Sequence, residues 1–243
     1  MNARASTARD LALAAVALGA AAAAIAASWT GSPGGSFGFW LAVCFAGELL
    51  WVPLPFGRAT LSMASTCDFA ALLLLPRAEA MLAAALASVA AELLVRRRPP
   101  ARLLFNAGQT ALAVGAGSLA YHWLAAAHAT PAAVLAGSGV LPMLAAALAY
   151  AAVNTGAVSL AVGIAERVAP WRAWWSNFGT LYELLSTSAL FSLGVLLAVL
   201  HSLAGPLGTA LVSLPLVLAH DSYRRYLDRG RYAVASNRRR RAA

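Results

Sequence analysis

Residues 140–165 read VLPMLAAALAYAAVNTGAVSLAVGIA and contain no charged side chain. A helix needs about 20 apolar residues to cross the roughly 30 Å hydrocarbon core of a bilayer, and this stretch exceeds that length. We therefore predict a transmembrane helix here. Its most polar residue, Asn154, lies in the middle of the predicted span.

The composition extends this prediction to the whole chain. Of its 243 residues, 61% are hydrophobic and 11% are charged, whereas about 25% of the residues of an ordinary soluble domain are charged. This balance excludes a water-soluble single domain. Apolar runs predict eight transmembrane helices, at 11–29, 37–54, 59–75, 79–95, 103–125, 140–165, 178–200 and 203–219.

Three of these segments leave the number of spans open at seven to eight. Asp68 and several hydroxyl side chains lie in 59–75, and prolines interrupt 203–219, so either segment fits a re-entrant or broken helix as well. The first 29 residues also fit a signal peptide, whose removal would leave seven spans. We predict that they are retained.

The predicted fold class is an all-α integral membrane protein, a compact bundle of about eight helices over residues 1–219. Residues 220–243 predict a cytoplasmic, Arg-rich juxtamembrane amphipathic helix and tail. With the N-terminus inside, 17 of the 18 arginines fall in cytoplasmic segments, and only Arg77 falls outside. Because cytoplasmic loops carry the excess of positive charge, we predict a multi-pass protein of the bacterial inner membrane with both termini cytoplasmic.

Polar residues inside the predicted spans are the candidate functional residues, since a charged side chain costs about 2.5–3.5 kcal/mol at the centre of a membrane helix. The predicted ligand-binding residues are Glu48, Asp68, Asn106, Gln109, Asn154 and Glu183. In the alternative interpretation, the same groups only hydrogen-bond one helix to another. Glu92 is four residues before Arg96, which predicts a structural ion pair.

The basic residues outside the spans predict contacts with membrane lipids. Anionic headgroups attract clusters of arginines beside a membrane, and the predicted lipid-binding residues are Arg96, Arg97, Arg98, Arg224 and Arg225. We predict no nucleic-acid partner. The chain has no HExxH motif, phosphate-binding loop or glycine-rich dinucleotide fingerprint, so we also predict no enzymatic activity, no cofactor and no metal site.

Three short motifs resemble the N-terminal membrane region of bacterial HD-GYP and GGDEF signalling proteins. The first is RRRPPARLLFNAGQTALA at 96–113, and the second is YAAVNT at 150–155. The third combines GPLG at 205–208, LPL at 214–216 and SYRRYL at 222–227. Together they cover about residues 45–228.

The resemblance implies a membrane-embedded sensory module whose last helix leads to a cytoplasmic output domain. Only a short Arg-rich tail follows Leu227, so we expect signalling through a separate cytoplasmic protein. The predicted function is a non-enzymatic module that binds an unidentified small ligand and signals to that partner. A small-solute transporter or the substrate-binding subunit of a multi-component importer is the alternative, and a purely structural assembly protein is a third possibility.

Overall fold

The computed structural model describes residues 3–53, 60–125 and 130–242, and it is a helical bundle. The long elements are α1 (Ala3–Ser28), α2 (Phe37–Leu49), α3 (Ala64–Leu74), α4 (Arg77–Ala91), α5 (Pro100–Leu124), α6 (Val140–Glu166), α7 (Pro170–Phe178) and α8 (Leu181–Ala242). A π-helical turn at Glu92–Arg96 extends α4, and a 3₁₀ helix at Pro131–Ala136 precedes α6.

The segment between α2 and α3 differs from the predicted spans 37–54 and 59–75, which were expected to be helical throughout. Here β1 (Trp51–Pro53) and β2 (Thr60–Ser62) form a short antiparallel pair, an exception to the all-α prediction. Pro53 disfavours helical backbone at Val52, the residue before it, so a helix does not continue through this segment. With 13 and 11 residues, α2 and α3 are about 20 and 16 Å long, less than the bilayer core.

Four helical segments of the described chain are long and apolar enough to cross a membrane: Ala8–Ser28, Arg77–Arg96, Val140–Glu166 and Leu181–Ser222. The predicted number of seven to eight spans therefore stays a prediction. Gly205 interrupts α8 with φ 58° and ψ −142°, between the predicted spans 178–200 and 203–219. Beyond it the helix continues to Ala242, through the predicted juxtamembrane segment.

The chain bends sharply at Gly205. A Cβ atom at Gly208 would lie 2.0 Å from the carbonyl oxygen of Leu200, and His201 Nδ1 lies 2.8 Å from Thr209 Oγ1. Residues eight positions apart in a straight helix are separated by about 12 Å along its axis. These contacts therefore require the two parts of α8 to fold towards each other.

Contacts at the helix ends show how the helices are oriented. Arg9 at the start of α1 donates a hydrogen bond to the carbonyl of Ile164 near the end of α6, at 3.1 Å. At the opposite end of the bundle, Ser28, Arg77 and His122 line one small pocket. Helices α1 and α5 therefore run parallel to each other and antiparallel to α4 and α6, which agrees with the predicted alternation of these four segments. The N-in orientation stays a prediction.

Helix α5 lies at the centre, packed against α1, α4, α6 and α3. Two of its glycines allow close packing: Gly115 lies against Met81 of α4, and Gly117 lies against Ala146 and Tyr150 of α6. Small residues stabilise helix association in membranes in this way. Helix α3, almost entirely buried, packs between this group and α8, and it thereby carries polar side chains into the interior.

Candidate functional site

A cavity of about 320 Å³ lies where α2, α3, α5, α6 and α8 meet. Its walls include all six residues that the sequence predicted to bind a ligand: Glu48, Asp68, Asn106, Gln109, Asn154 and Glu183. Their positions span more than 130 residues of the chain. The fold brings them together, while their role in ligand binding stays a prediction.

A chain of ion pairs forms one wall of the cavity. Arg96 Nη2 lies 2.9 Å from Glu48 Oε2 and donates a hydrogen bond to the Glu48 carbonyl at 2.8 Å, while Arg96 Nη1 lies 3.2 Å from Glu92 Oε1. Arg98 Nε lies 3.5 Å from Glu92 Oε2. The predicted pair of Glu92 and Arg96 is present, and both residues lie in the π-helical turn.

These contacts change the interpretation of the predicted lipid-binding arginines. The side chain of Arg96 is 16% exposed, and two carboxylates inside the protein hold its guanidinium. Lipid binding by Arg96 stays a prediction. Arg98 is more exposed and lies beside the cavity, and Arg97 is exposed in a left-handed conformation. Arg225 is exposed and pairs with Asp221 at 2.7 Å, while the side chain of Arg224 lies outside the described part of the structure.

The amide side chains cross-link the helices around the cavity. Asn106 Nδ2 donates a hydrogen bond to Glu92 Oε1 at 3.1 Å. Gln109 Nε2 donates to Asn154 Oδ1 and, at 3.4 Å, to the backbone carbonyl of Asn154. Asn106 and Gln109 are three residues apart and share a face of α5. Both amides therefore have the contacts that the helix-linking alternative requires.

Asp68 is the most deeply buried acid among the predicted residues, at 2% exposed. The hydroxyl of Tyr150 lies 3.5 Å from Asp68 Oδ2, and among the described residues no arginine forms an ion pair with this carboxyl group. A buried charge without a counter-charge is costly. The side chains of Tyr150 and Cys44 hydrogen-bond to Asp68, so the protein supplies polar contacts but no cationic partner for this acid.

Glu183 occupies the rim of the cavity and also has a structural role. Its backbone N–H donates a hydrogen bond to Thr180 Oγ1 at 3.2 Å, and α8 begins at Leu181. Thr180 and Glu183 thus have the spacing of a capping box, in which a hydroxyl at the N-cap position satisfies a free backbone donor. The sequence contained this signal, although the prediction assigned Glu183 to ligand binding alone.

Among the polar residues that line the cavity and that the sequence did not assign to it are Glu92, Arg98 and Tyr150. Glu92 was assigned to a helical ion pair, yet it is fully buried and contacts Arg96, Arg98 and Asn106. Tyr150 is four residues before Asn154, and this spacing on one helix face could have identified it. Among the described residues, no three His, Cys, Asp or Glu side chains are close enough together to hold a metal ion.

A second, apolar space adjoins the cavity. It is a groove of about 870 Å³ between α6 and α8, and it ends near Trp174 and Phe178 of α7. Trp174 Nε1 donates a hydrogen bond to Thr155 Oγ1 at 2.9 Å, which attaches α7 to α6. The sequence did not predict α7 as a separate element, because nine residues with three tryptophans were assigned to a loop at the membrane interface.

The apolar helical bundle and its polar interior cavity define a class, the helical membrane proteins with a polar interior. The chain belongs to the MASE9 family of membrane-associated sensory domains, whose model matches residues 56–221. Of the six predicted ligand-binding residues, only Glu48 lies outside this range. No curated protein and no solved structure matches the chain. The predicted relation to HD-GYP and GGDEF proteins stays a prediction.

Proposed function

We propose that this protein is a non-enzymatic membrane sensor in which a small ligand, bound in the interior cavity, changes the position of α8 and so signals to a cytoplasmic protein. One observation carries the proposal: polar residues from five helices line a single cavity, although polar side chains are costly in a membrane. Membership of a sensory domain family supports the same function.

The contacts between the cavity and α8 suggest a route for the signal. Asp68 precedes Phe69, whose ring lies 4.8 Å from the ring of Phe191 on α8. On the same face of α3, Thr66 Oγ1 donates a hydrogen bond to the carbonyl of Leu190 at 3.1 Å. A change at Asp68 therefore reaches α8 through direct contacts.

This mechanism requires two arrangements of the helices for which the ligand has different affinities. Spin labels are attached at Arg102→Cys on α5 and Ser222→Cys on α8, in a chain whose two native cysteines are replaced by alanine. They report the distance between α5 and the C-terminal part of α8. We expect Asn106→Leu and Asn154→Leu to shift the distance distribution by about 1–2 Å or more, the usual size of helix movements in switching proteins.

Asn177→Leu is the matched control, since Asn177 is exposed on α7 and outside the cavity. We expect it to leave the distances unchanged. Identical distributions for all three variants, each properly folded by gel filtration, would contradict the proposed coupling.

The partner is tested by purifying the tagged protein from its native membranes in a mild detergent. Signalling through the C-terminal segment would be supported by a kinase, cyclase or phosphodiesterase that co-purifies in stoichiometric amount. The same protein should be lost when the chain is ended after residue 219. Recovery of an ATPase with a second membrane subunit would instead support the importer alternative and overturn the sensor.

A further inference from the structure

The apolar groove between α6 and α8 is open because each helix packs elsewhere. Helix α6 packs mainly on α5 and α7, and α8 packs mainly on α3. The groove side of α6 carries Met143, Leu144, Leu148 and Ala152, a spacing that places them along one helix face. Leu144 and Leu148 are 56% and 70% exposed, so the groove opens sideways towards the lipid.

The groove and the polar cavity lie directly against each other. They share lining residues from α6 and α8, including Thr155, Glu183, Thr187 and Phe191. Both volumes lie in the range of about 300–1,000 Å³ that is usual for ligand pockets. A molecule with one polar and one apolar end can therefore occupy both spaces at once.

The charges around the cavity indicate which polar end fits. Arg96 and Arg98 are matched by Glu48 and Glu92, whereas Asp68 and Glu183 form no ion pair with a described residue. Glu92 Oε2 is buried and accepts no hydrogen bond among the described residues, and its contact with Arg98 Nε at 3.5 Å is a long ion pair. The cavity thus has carboxylate acceptors in excess of cationic donors.

We infer that the cavity and the groove together bind one membrane amphiphile, with a primary-amine headgroup among Asp68, Glu92 and Glu183 and an acyl chain between α6 and α8. An ammonium group offers three donors and no acceptor, which matches a cavity whose carboxylates outnumber its arginines. This inference rests on the proposed function, since it names the chemical class of the ligand that the sensor would bind.

The geometry distinguishes this ligand from other occupants of the groove. The acyl chain of a bulk lipid would fill the groove and leave Asp68 and Glu183 without a cationic partner. A helix of another protein, or of a second copy of this chain, is about 10 Å wide and cannot enter a cavity of about 320 Å³. A fatty acid would bring a further negative charge to a site that already has four carboxylate residues.

The test uses hexadecylamine with a photoreactive diazirine in its chain, added to the whole protein in phosphatidylcholine nanodiscs. Mass spectrometry then maps the labelled peptides. We expect labelling of 143–156 on α6 and 184–195 on α8 in excess of the lipid-facing side of α1. Unlabelled hexadecylamine should reduce it about tenfold, whereas hexadecanol and hexadecanoic acid should leave it unchanged.

Two variants test the two ends of the ligand. Asp68→Asn keeps the shape of the side chain and removes its charge, and we expect a loss of affinity of about tenfold. Gly156→Leu fills the groove, since no atom lies within 4 Å of its Cβ position, and it should abolish labelling. The matched controls are Glu166→Gln, an exposed acid outside the cavity, and Gly19→Leu on α1, which also has free space around it.

Equal competition by all three compounds would show that the groove holds only bulk acyl chains and would overturn the inference. Stronger competition by hexadecanoic acid, or protection of the groove by dimerisation of the chain, would overturn it too. The spin-label distances separate this outcome from the proposed function. If hexadecylamine binds without changing the spin-label distances, the sensor proposal fails alone. If the distances change in Asn106→Leu and Asn154→Leu but not on addition of hexadecylamine, the amine inference fails alone.

Discussion

At the scale of single residues, Glu92 organises the cavity. It is 0% exposed, and its two oxygens contact Arg96, Asn106 and Arg98. Removing one member of a buried ion pair is costly because the remaining charge stays buried without compensation. The polar wall of the cavity therefore depends on this carboxylate more than on any exposed charge.

We predict that Glu92→Leu lowers the free energy of unfolding by about 3 kcal/mol. Exposed Glu166 on α6 provides the control, since Glu166→Leu should change stability by about 0.5 kcal/mol or less. Reversible unfolding in mixed micelles of SDS and a mild detergent measures both. An equal loss for the two variants would show that Glu92 has no special role in stability.

At the scale of secondary-structure elements, glycines determine how the helices bend and approach one another. Gly205 has a backbone conformation that is essentially restricted to glycine, and it bends α8. Gly108 lies where α5 crosses α1, and a Cβ atom there would be 2.5 Å from a backbone atom of Ala17. Each position thus requires a glycine for a different reason.

Substitution of Gly205 tests the bend in α8. We predict that Gly205→Ala destabilises the protein by about 1–3 kcal/mol, because alanine is strained in this conformation. In contrast, Gly19→Ala in α1 should be neutral or stabilising by up to about 1 kcal/mol, as alanine favours a helix. Unfolding in the same mixed micelles compares them, and a neutral Gly205→Ala would mean that the bend is absent.

Substitution of Gly108 tests whether α1 belongs to the mature bundle. We predict that Gly108→Ala costs about 1–3 kcal/mol through overpacking against α1, while Gly156→Ala, which faces open space, should have little effect. The intact mass of the purified protein shows whether residues 1–29 are present. If they are removed as a signal peptide, Gly108→Ala should also be harmless.

At the scale of the whole molecule, the positive charges concentrate at one end of the bundle. Arg9, Arg96 and Arg102 lie at that end, together with the end of α6, whereas Arg77 lies at the other. A bundle with this asymmetry is expected to place its basic end in the cytoplasm.

Cysteine labelling tests this orientation. In a chain without native cysteines, we predict that Arg97→Cys reacts with a membrane-impermeant maleimide only in inside-out vesicles. Gly35→Cys, at the opposite end and also exposed, should react only from the outside of intact cells or spheroplasts. The reverse pattern would place the N-terminus outside.

The tertiary structure shows why some predictions needed more than local sequence. The spans 37–54 and 59–75 were wrong at their facing ends, since their apolar composition concealed a β hairpin that starts at Trp51. The position of Arg96 in a basic cluster is visible in the sequence, while its contact with Glu48, 48 positions away, is not. Lipid binding by Arg96 stays a prediction.

The sequence by itself determined that this protein is helical and membrane-embedded, and it identified the polar residues inside the bundle. Hydropathy and helix-breaking residues act over short stretches of the chain, so the sequence of each stretch reveals them. Only the tertiary structure decided that six of these polar residues surround one cavity, that Arg96 points into it and that an apolar groove adjoins it. These features depend on packing between helices that are distant in the chain, and that packing is set by many weak contacts at once.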